Sequence, residues 1–420
     1  MTSKKSKKAE LVDEITPLNQ GLGAAKKAKQ DEFYTQYVDI QKEVEAYLEY
    51  NPDTFRDKVV YCNCDDPFES NFFRYFAANF NKLGLKRLVS TSYDGSPIAG
   101  QGELFPEYNE GNGGRKKPKA LAVVLNQVKD ENGDGAANIE DVKLFLIRNK
   151  AARIALKGDD QYGGGDFRSA ECLGFLKEAD IVVTNPPFSL FKEYVAQLVE
   201  HRKKFLLIGN LQAITYLEIF PLIKGNRMWL GPTIHSGDRE FRVPDHYPLK
   251  AAGWRVDESG VKYIRVKGVR WFTNLDHGRR HELLECMTMA DNLRFSKHKE
   301  LKGRPAYDRY TNYDAVEVPF SDAIPSDFDG VMGVPVSFLD KYNPDQFEIV
   351  GNSDDGGMMR EIGVHTLGRD FIDAYRARGG TGHYSPGMRM LGLLEPQPRV
   401  IFKRILIRHR GTQPAKRKKK

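Results

Sequence analysis

The sequence lacks the features of a membrane or secreted protein. No uninterrupted apolar run approaches the roughly 18 residues that a membrane-spanning helix needs. The positive charges of the first segment, MTSKKSKKAE, are not followed by the apolar stretch of a secretory signal. The chain has four cysteines in 420 residues, none in a CxxC pair, which indicates no disulfide framework. We therefore expect reduced thiols and a cytoplasmic protein.

Common catalytic and metal-binding patterns are also missing, because neither a zinc-ligand spacing nor a Ser-His-Asp pattern stands out. One segment, residues 130–141 (DENGDGAANIED), nearly matches a calcium-binding loop, with Asp at its first and twelfth positions and Gly at its sixth. However, the strand-like LAVVL precedes it rather than a helix, and a polar hairpin turn explains NGDG equally well. We assign no metal to the chain.

Positive charge is in excess and is concentrated at the two ends. The net charge is +7, with lysines clustered in residues 1–30 and basic residues again from 399 to 420. Two basic ends suit a polyanionic partner, because each phosphate contact releases condensed counterions. Solvated tails that aid solubility would have the same composition. The length allows two or three domains, each with its own core.

Strand and helix signals alternate through the first two thirds of the chain. β-Branched or apolar runs predict strands over 58–62, 87–91, 120–128, 142–148, 180–184, 204–208, 227–230 and 268–273. Helical spacing predicts helices over 31–50, 70–83, 190–201 and 213–223. This alternation predicts an α/β fold whose mainly parallel sheet has helices on both faces. Such sheets bind ligands at the carboxyl ends of their strands, so a site is expected in the loops after the strands.

The most informative segment is DIVVTNPPF, residues 180–188. A buried strand runs directly into Asn185, Pro186, Pro187 and Phe188. Two successive prolines cannot donate main-chain hydrogen bonds, so they fix a rigid turn at the strand end. The Asn side chain and a proline carbonyl are acceptors suited to an exocyclic amine, and Phe188 offers a flat face for a base. A rigid strand-to-helix connection without a catalytic role is the alternative.

This turn resembles motif IV of the amino-methyltransferases, which act on adenine N6, cytosine N4 or glutamine amide nitrogen. The chain as a whole resembles the EcoRI-type adenine-specific DNA methyltransferases. The resemblance covers most of residues 31–410 and is carried by segments that include DEFYTQY (31–37), VVYCNCDDPFESNFFRYF (59–76), GGGDFRS (163–169) and ADIVVTNPPFSLFKEYV (179–195). It implies a Rossmann-like class I methyltransferase sheet, S-adenosylmethionine as cofactor and an added C-terminal DNA-recognition region.

The resemblance also implies roles for particular residues. Asn185, Pro186, Pro187 and Phe188 form the catalytic turn, and the cofactor is bound by Tyr34, Thr35, Asp65, Asp66, Phe68, Asp166 and Phe167. The loop after the first strand, CNCDDPFESN, contains no glycine, although most methyltransferases have a glycine-rich turn there. Asp65 and Asp66 could instead cap the following helix. Asp166 and Phe167 could instead belong to an ordinary glycine-rich turn before a capped helix.

The domain organisation that follows from these assignments has five parts. We expect a basic disordered arm (1–30), a catalytic domain (31–230) with an insertion near 95–160, a polar insertion that could contact DNA (231–267), the last core strand with a target-recognition region (268–410), and a basic tail (411–420). Candidate DNA-contacting residues in the polar insertion are His235, Arg239, Arg242, His246 and Tyr247. The run KRILIRHR (403–410) suits either an edge strand touching phosphates or a plain amphipathic strand.

The expected partner is double-stranded DNA, and the family implies a monomer, with or without a cognate restriction endonuclease that it does not contact. Three alternatives stay open. A protein glutamine methyltransferase shares the Asn-Pro-Pro turn, although those enzymes are normally compact with a glycine-rich first loop. An RNA adenine methyltransferase would tolerate the basic tails. A non-catalytic DNA-binding relative could have kept the fold.

Overall fold

The computed structural model describes residues 35–65, 67, 70–93, 120–149, 152–235, 238–243, 253–381, 389–395 and 397–411. The predicted basic arm (1–30), residues 95–119, 150 and 151 of the predicted insertion near 95–160, and all but the first residue of the basic tail (411–420) lie outside these ranges. Within the described residues, no helix combines the length and apolar composition needed to cross a membrane.

The first part of the described chain forms one large sheet and the helices that cover it. Its strands are β1 (Val59–Cys62), β2 (Arg87–Thr91), β3 (Leu121–Leu125), β4 (Arg153–Ala155), β5 (Ile181–Thr184), β6 (Lys204–Asn210), β7 (Trp229–Leu230) and β11 (Val269–Thr273). Its helices are α1 (Tyr37–Tyr50), α2 (Asn71–Ala78), α3 (Phe80–Leu83), α4 (Ile139–Arg148), α5 (Ala170–Glu178), α6 (Phe191–Glu200) and α7 (Phe220–Lys224). The predicted alternation of strands and helices is confirmed.

The strand order of this sheet is β4-β3-β2-β1-β5-β6-β11-β7. The four central strands, β2, β1, β5 and β6, are parallel, whereas β3, β4 and β11 join by antiparallel pairing. From β1 the chain continues to β2 on one side, and from β5 it continues to β6 on the other. The order therefore reverses between β1 and β5, which is the position where open α/β sheets bind ligands.

Alternate residues of the central strands pack into two separate cores, one on each face of the sheet. In β1, Val60 and Cys62 contact the core formed with α1, α2 and α4, whereas Tyr61 contacts the core formed with α5, α6 and α7. The same alternation in β5 assigns Val182 to the second core and its two neighbours to the first. Because side chains alternate across a strand, a strand with apolar residues on both sides must be covered on both faces, as predicted.

The predicted strand over 142–148 is wrong, because these residues belong to the helix α4. Asn138 caps this helix through the amide of Glu140, and Asp141 accepts a hydrogen bond from the amide of Asn138. The two side chains form a reciprocal capping box. Val142 and Leu146, one helical turn apart, point into the core. The apolar run 142–148 is too short for its pattern to distinguish a helix from a strand.

Two predicted helices are interrupted. The helix predicted over 70–83 is divided at Asn79 into α2 and α3, and it ends at Gly84, whose φ of +63° suits glycine. The helix predicted over 213–223 is a 3-10 helix, Leu211–Thr215, followed by α7. Pro221 lies in the first turn of α7, where its missing N–H costs no hydrogen bond, so it begins a new helix there.

The polar insertion between β7 and β11 forms a small antiparallel sheet. Its strands are β8 (Asp238–Val243), β9 (Arg255–Val256) and β10 (Lys262–Lys267), in the order β8-β10-β9. Phe241, Val243, Ile264 and Val266 turn their side chains into the core that contains α1 and α2. The insertion is therefore packed onto the large sheet at one face.

The rest of the chain forms a second, four-stranded sheet with flanking elements. Its strands β12 (Ala315–Glu317), β13 (Val331–Pro335), β14 (Phe347–Asn352) and β17 (Arg404–His409) have the order β12-β13-β17-β14. Around it lie α8 (Met289–Phe295), α9 (Gly356–Glu361), α10 (Arg369–Ala377) and the pair β15 (Leu391–Leu393) and β16 (Arg399–Ile401). The interpretation of residues 403–410 as an edge strand touching phosphates is wrong, because β17 pairs on both sides. Its Arg404 and Arg408 form ion pairs with Glu317 and Glu348.

Candidate active site

The loops that follow β1 and β5 meet at the point where the strand order reverses. The predicted catalytic turn follows β5 directly: Asn185, Pro186 and Pro187 are buried, and Phe188 is half-buried at the start of a 3-10 helix that leads into α6. The carbonyl of Pro187 accepts a hydrogen bond from the amide of Leu190 (2.9 Å), which closes the turn. The turn is thus held between a buried strand and a helix whose first residue, Phe191, is buried.

The loop after β1 is held in place by hydroxyl groups from its neighbours. The hydroxyl of Thr184, at the end of β5, donates to the carbonyl of Asn63. From β2, the Thr91 hydroxyl donates to the Asn63 side-chain oxygen (3.0 Å), and the Ser90 hydroxyl donates to the Asp65 carbonyl (2.7 Å). These contacts join the first-strand loop to both neighbouring strands.

The loop turns without a glycine because Cys64 adopts the left-handed conformation, with φ of +60°. The Asn63 side chain accepts a hydrogen bond from the Cys64 amide (2.8 Å) and stabilises this conformation locally. Asn63 and Cys64 therefore allow the backbone to turn here, as a glycine-rich loop does in most methyltransferases.

Asp65 is buried beneath this loop, and it does not cap α2. The cap is Ser70, whose hydroxyl accepts from the amide of Phe72 (3.1 Å) and donates to the Asp65 carboxylate (3.0 Å). The capping alternative for Asp65 is therefore wrong. Asp66 and Phe68 lie outside the described residues.

Asp166 and Phe167 follow a turn that only glycine can make. Gly165 has φ of +75°, and a Cβ atom there would lie 1.8 Å from the carbonyl oxygen of Ser92, just after β2. The Asp166 carboxylate is bound by both sides of the Arg168 guanidinium, with Nε at 2.9 Å and Nη2 at 2.8 Å. Arg168 also contacts Glu193 of α6 (3.2 Å). The cap of α5 is Ser169, so Asp166 does not cap that helix either.

One cavity lies between the loops after β1 and β2, the loop with Asp166 and Phe167, and the predicted catalytic turn. Cys64 from the first loop, Tyr93 after β2, Asp166 and Phe167, and Pro187 and Leu190 from the turn line it together with Arg168. Its volume is about 40 Å³. Tyr93, Arg168 and Leu190 are not among the residues predicted from the sequence. The position of Tyr93 at the carboxyl end of β2 is the only sequence signal that could have indicated one of them.

Thr35 is buried just before α1, and like Asp65 it contacts the start of α2. Its carbonyl accepts a hydrogen bond from the Asn71 side chain (2.7 Å) at the start of α2. Its hydroxyl oxygen is buried and has no hydrogen-bond partner among the residues that the structure describes. A buried hydroxyl without a partner is costly, so this atom is suited to contacting a ligand. Tyr34 lies outside the described residues.

The near-match to a calcium loop has a different structure. Asp130 accepts hydrogen bonds from the amides of Gly133 (2.6 Å) and Gly135 (2.8 Å), and Asp141 accepts from that of Glu131 (2.7 Å). The carboxylates therefore stabilise a loop between β3 and α4 and not the predicted hairpin. In the described part of the chain, no three His, Cys, Asp or Glu side chains are grouped so that they could hold a metal ion.

Among the candidate DNA-contacting residues, Arg239 and Arg242 lie on β8, and His235 lies just before that strand. The ring of His235 contacts Arg279 (Nε2 to Nη1, 2.6 Å). His246 and Tyr247 lie outside the described residues.

Comparison with known proteins identifies relatives over most of the chain. The model of the family described as "Adenine-specific methyltransferase EcoRI" matches residues 21–410. The chain is 43% identical over 338 residues to the Type II methyltransferase M.EcoRI of Escherichia coli, covering 79% of this chain and 89% of that protein. It is 35% identical over 329 residues to the Type II methyltransferase M.MpnI of Mycoplasma pneumoniae, covering 78% and 83%. No solved structure matches it.

Proposed function

The chain belongs to the EcoRI family of adenine-specific methyltransferases, and we propose that it transfers a methyl group from S-adenosylmethionine to the N6 atom of adenine at a specific site in duplex DNA. The observation that carries this proposal is the Asn185–Phe188 turn, which lies at the reversal point of the sheet and shares a cavity with Asp166 and Phe167. The relatives' designation as Type II methyltransferases supports a role in restriction-modification.

The side chains of the cavity, together with Asp65 after β1 and Thr35 before α1, fit the cofactor chemically. Asp166 is a carboxylate acceptor for an exocyclic amine, Phe167 adds an aromatic ring, and the buried Asp65 and Thr35 offer acceptors for an ammonium group. When bound, S-adenosylmethionine supplies an electrophilic methyl group. Arg168 is the cationic residue of the cavity wall, and besides Asp166 it contacts a second carboxylate, Glu193.

The proposed catalytic role of the turn is to orient the adenine amine. The Asn185 side-chain oxygen and the Pro186 carbonyl would accept hydrogen bonds from N6–H, which favours a tetrahedral nitrogen with its lone pair directed at the methyl group. No general base need act before transfer, so the rate comes from orientation and fixed dipoles. Phe188 would stack on the adenine, which must leave the duplex to reach this pocket.

The parts after residue 230 would read the DNA. We assign base and backbone contacts to the insertion at residues 231–267 and to the region 268–410, because both follow the parallel strands of the large sheet in the chain. The protein would act as a monomer on one strand at a time, whether or not a cognate endonuclease accompanies it.

The test is modification mapping by long-read sequencing of bacterial DNA after expression of wild type and of Asn185→Ala. We expect N6-methyladenine in one recurring short motif with wild type. With Asn185→Ala, kcat should fall by about 100-fold or more, as for loss of an oriented hydrogen-bonding group in other enzymes.

Cofactor binding distinguishes the roles of the two groups of residues. Asn185→Ala should bind S-adenosylmethionine as wild type does, whereas Asp166→Ala should bind it about 10 to 100 times more weakly, because a hydrogen bond to a charged group is lost. Unchanged turnover in Asn185→Ala would refute the mechanism. Cofactor binding by wild type without any DNA methylation would leave the fold assignment intact and direct the search to RNA or protein substrates.

A further inference from the structure

A polar groove lies where the large sheet, the insertion and the C-terminal region meet. Its volume is about 450 Å³, and its walls include His235, Arg279, Ser321, Ser337, Asp340 and Lys341. His235 lies at the start of the insertion, just before β8, Arg279 follows β11, and the other four residues belong to the C-terminal region around β13. The groove is therefore assembled from three separate parts of the chain.

Cations outnumber carboxylates around this groove. The Asp340 carboxylate forms a buried ion pair with Arg270 of β11 (3.2 Å). Among the described residues that line the groove, Asp340 and Asp322 are the two carboxylates. The carboxylate of Asp322 is occupied by Lys297 (2.7 Å) and His298 (2.8 Å). Three cations, Arg270, Arg279 and Lys341, are thus balanced by one carboxylate.

Among the described residues, neither Arg279 nor Lys341 forms an ion pair with a carboxylate. The Arg279 guanidinium donates to the His235 ring (2.6 Å) and to the backbone carbonyl of Asp340 (3.2 Å). Lys341 is exposed and makes no ion pair or hydrogen bond with the part of the chain that the structure describes. Burial and the neighbouring charges of Arg279, Arg270 and Arg239 lower the pKa of His235 to about 4, so the ring is neutral and adds no compensating charge.

The His235 side of the groove follows β7 at the same edge of the sheet as the turn Asn185–Phe188. β7 is parallel to β5 and ends at Leu230, and from there the chain continues to His235. Arg270 of β11 lies opposite Gly209, near the end of β6. β7 is the third strand from β5, and strands are about 4.8 Å apart, so the end of β7, five residues before His235, is on the order of 15 Å from the turn. A duplex rises about 3.4 Å per base pair, so this distance corresponds to roughly four base pairs.

We propose that this groove binds one backbone phosphate of the DNA, about four base pairs from the adenine that enters the catalytic pocket. The proposal rests on the proposed function. Arg279 and Lys341 would supply the charged donors, and the Ser321 and Ser337 hydroxyls, 3.2 Å apart, would supply neutral ones. Such a contact fixes the register of the duplex and adds affinity without reading sequence.

The first test compares Lys341→Gln with Lys82→Gln in duplex DNA binding at several salt concentrations. Both lysines are exposed, but Lys82 lies on α3, which precedes β2 and is therefore at the opposite edge of the sheet. Loss of one phosphate contact should lower the slope of log K against log salt by about 0.9 and weaken binding several-fold at low salt. Lys82→Gln should change neither quantity. An unchanged slope for Lys341→Gln would overturn the proposal.

The second test locates the phosphate. Duplexes with a single methylphosphonate at successive positions should lose affinity for wild type at a position three to five nucleotides from the target adenine. The same substitution should have little further effect on Lys341→Gln, because the contact is already lost. A wild type that methylates DNA but shows no such position refutes the groove assignment alone. A wild type that neither binds nor methylates duplex DNA refutes the proposed function itself.

Discussion

At the scale of single residues, the first-strand loop shows how a glycine-rich turn can be replaced. Cys64 has φ of +60°, a conformation that costs roughly 1–2 kcal/mol for residues with a Cβ atom. The Asn63 side chain offsets part of this cost by accepting from the Cys64 amide and from the Thr91 hydroxyl. The loop therefore keeps the direction of the backbone while placing a thiol at the wall of the cavity.

This strain makes a testable distinction between two substitutions. Cys64→Gly should change the free energy of unfolding by less than about 1 kcal/mol, because relief of the left-handed strain and the greater entropy of unfolded glycine oppose each other. Cys64→Val should lower it by about 2 kcal/mol, because β-branched residues are disfavoured at positive φ. Urea unfolding measures both. Equal stability of the two variants would show that the backbone at residue 64 is not the controlling feature.

The residues of the candidate site that come directly after a strand could be predicted from the sequence. Asn185 was predicted because a polar turn directly follows a buried strand, and parallel strands end at one edge of a sheet. Asp65 was assigned by the resemblance to the family, in the loop after the first strand. Arg168 could not be found in this way, because its role depends on Glu193, which lies 25 residues further along the chain. Nor could sequence decide that Ser70, and not Asp65, caps α2, because both are good cap residues.

At the scale of elements, the errors arise where local patterns are ambiguous. The run from Val142 to Arg148 has too few residues to separate a helical from a strand period, and the capping box that decides it lies upstream of the run. The central position of β17 depends on its pairing with β13 and β14, both more than 50 residues earlier in the chain. Alternating charge suggested an exposed edge, but the arginines of β17 are paired with glutamates.

Helix α1 is fixed to the end of β7 by a buried carboxylate, Glu43. It accepts hydrogen bonds from the Tyr47 hydroxyl (2.9 Å) and from the amide (3.1 Å) and hydroxyl of Thr233. A Cβ atom at residue 231 would lie 2.0 Å from the carboxylate, so Gly231 is required for this approach. The contact joins the helix that follows the predicted cofactor segment to the start of the insertion.

Complete burial raises the pKa of Glu43 to about 7, although its three donors favour the ionised form. The folded protein then holds this proton more tightly than the unfolded chain does, so Glu43 should make stability fall as pH rises from about 4.5 to about 7. The expected loss is roughly 3 kcal/mol. Glu43→Gln should remove this dependence, as urea unfolding at pH 5 and pH 8 would measure. A difference between wild type and variant that is the same at both pH values would exclude Glu43 as its source.

At the scale of the whole molecule, the catalytic part and the C-terminal region share one hydrophobic core. Side chains of α7, such as Phe220 and Ile223, belong to the same cluster as Phe338, Phe347 and Ile407 of the C-terminal region. The buried pair of Arg270 and Asp340 crosses the same junction, with both side chains only 6% exposed. A continuous core of this kind favours joint unfolding of the two parts.

Asp340→Ala tests this coupling, because it removes one partner of a buried ion pair and leaves Arg270 uncompensated. We expect the free energy of unfolding to fall by about 3–5 kcal/mol. All three tryptophans, Trp229, Trp254 and Trp271, lie before the C-terminal region, so their fluorescence reports on the large sheet and the insertion, whereas far-UV circular dichroism reports on the whole chain. If the core is shared, the two signals should change at the same urea concentration in wild type and variant. A dichroism change that precedes the fluorescence change would show instead that the C-terminal region unfolds independently, and that the shared core does not couple it to the catalytic sheet.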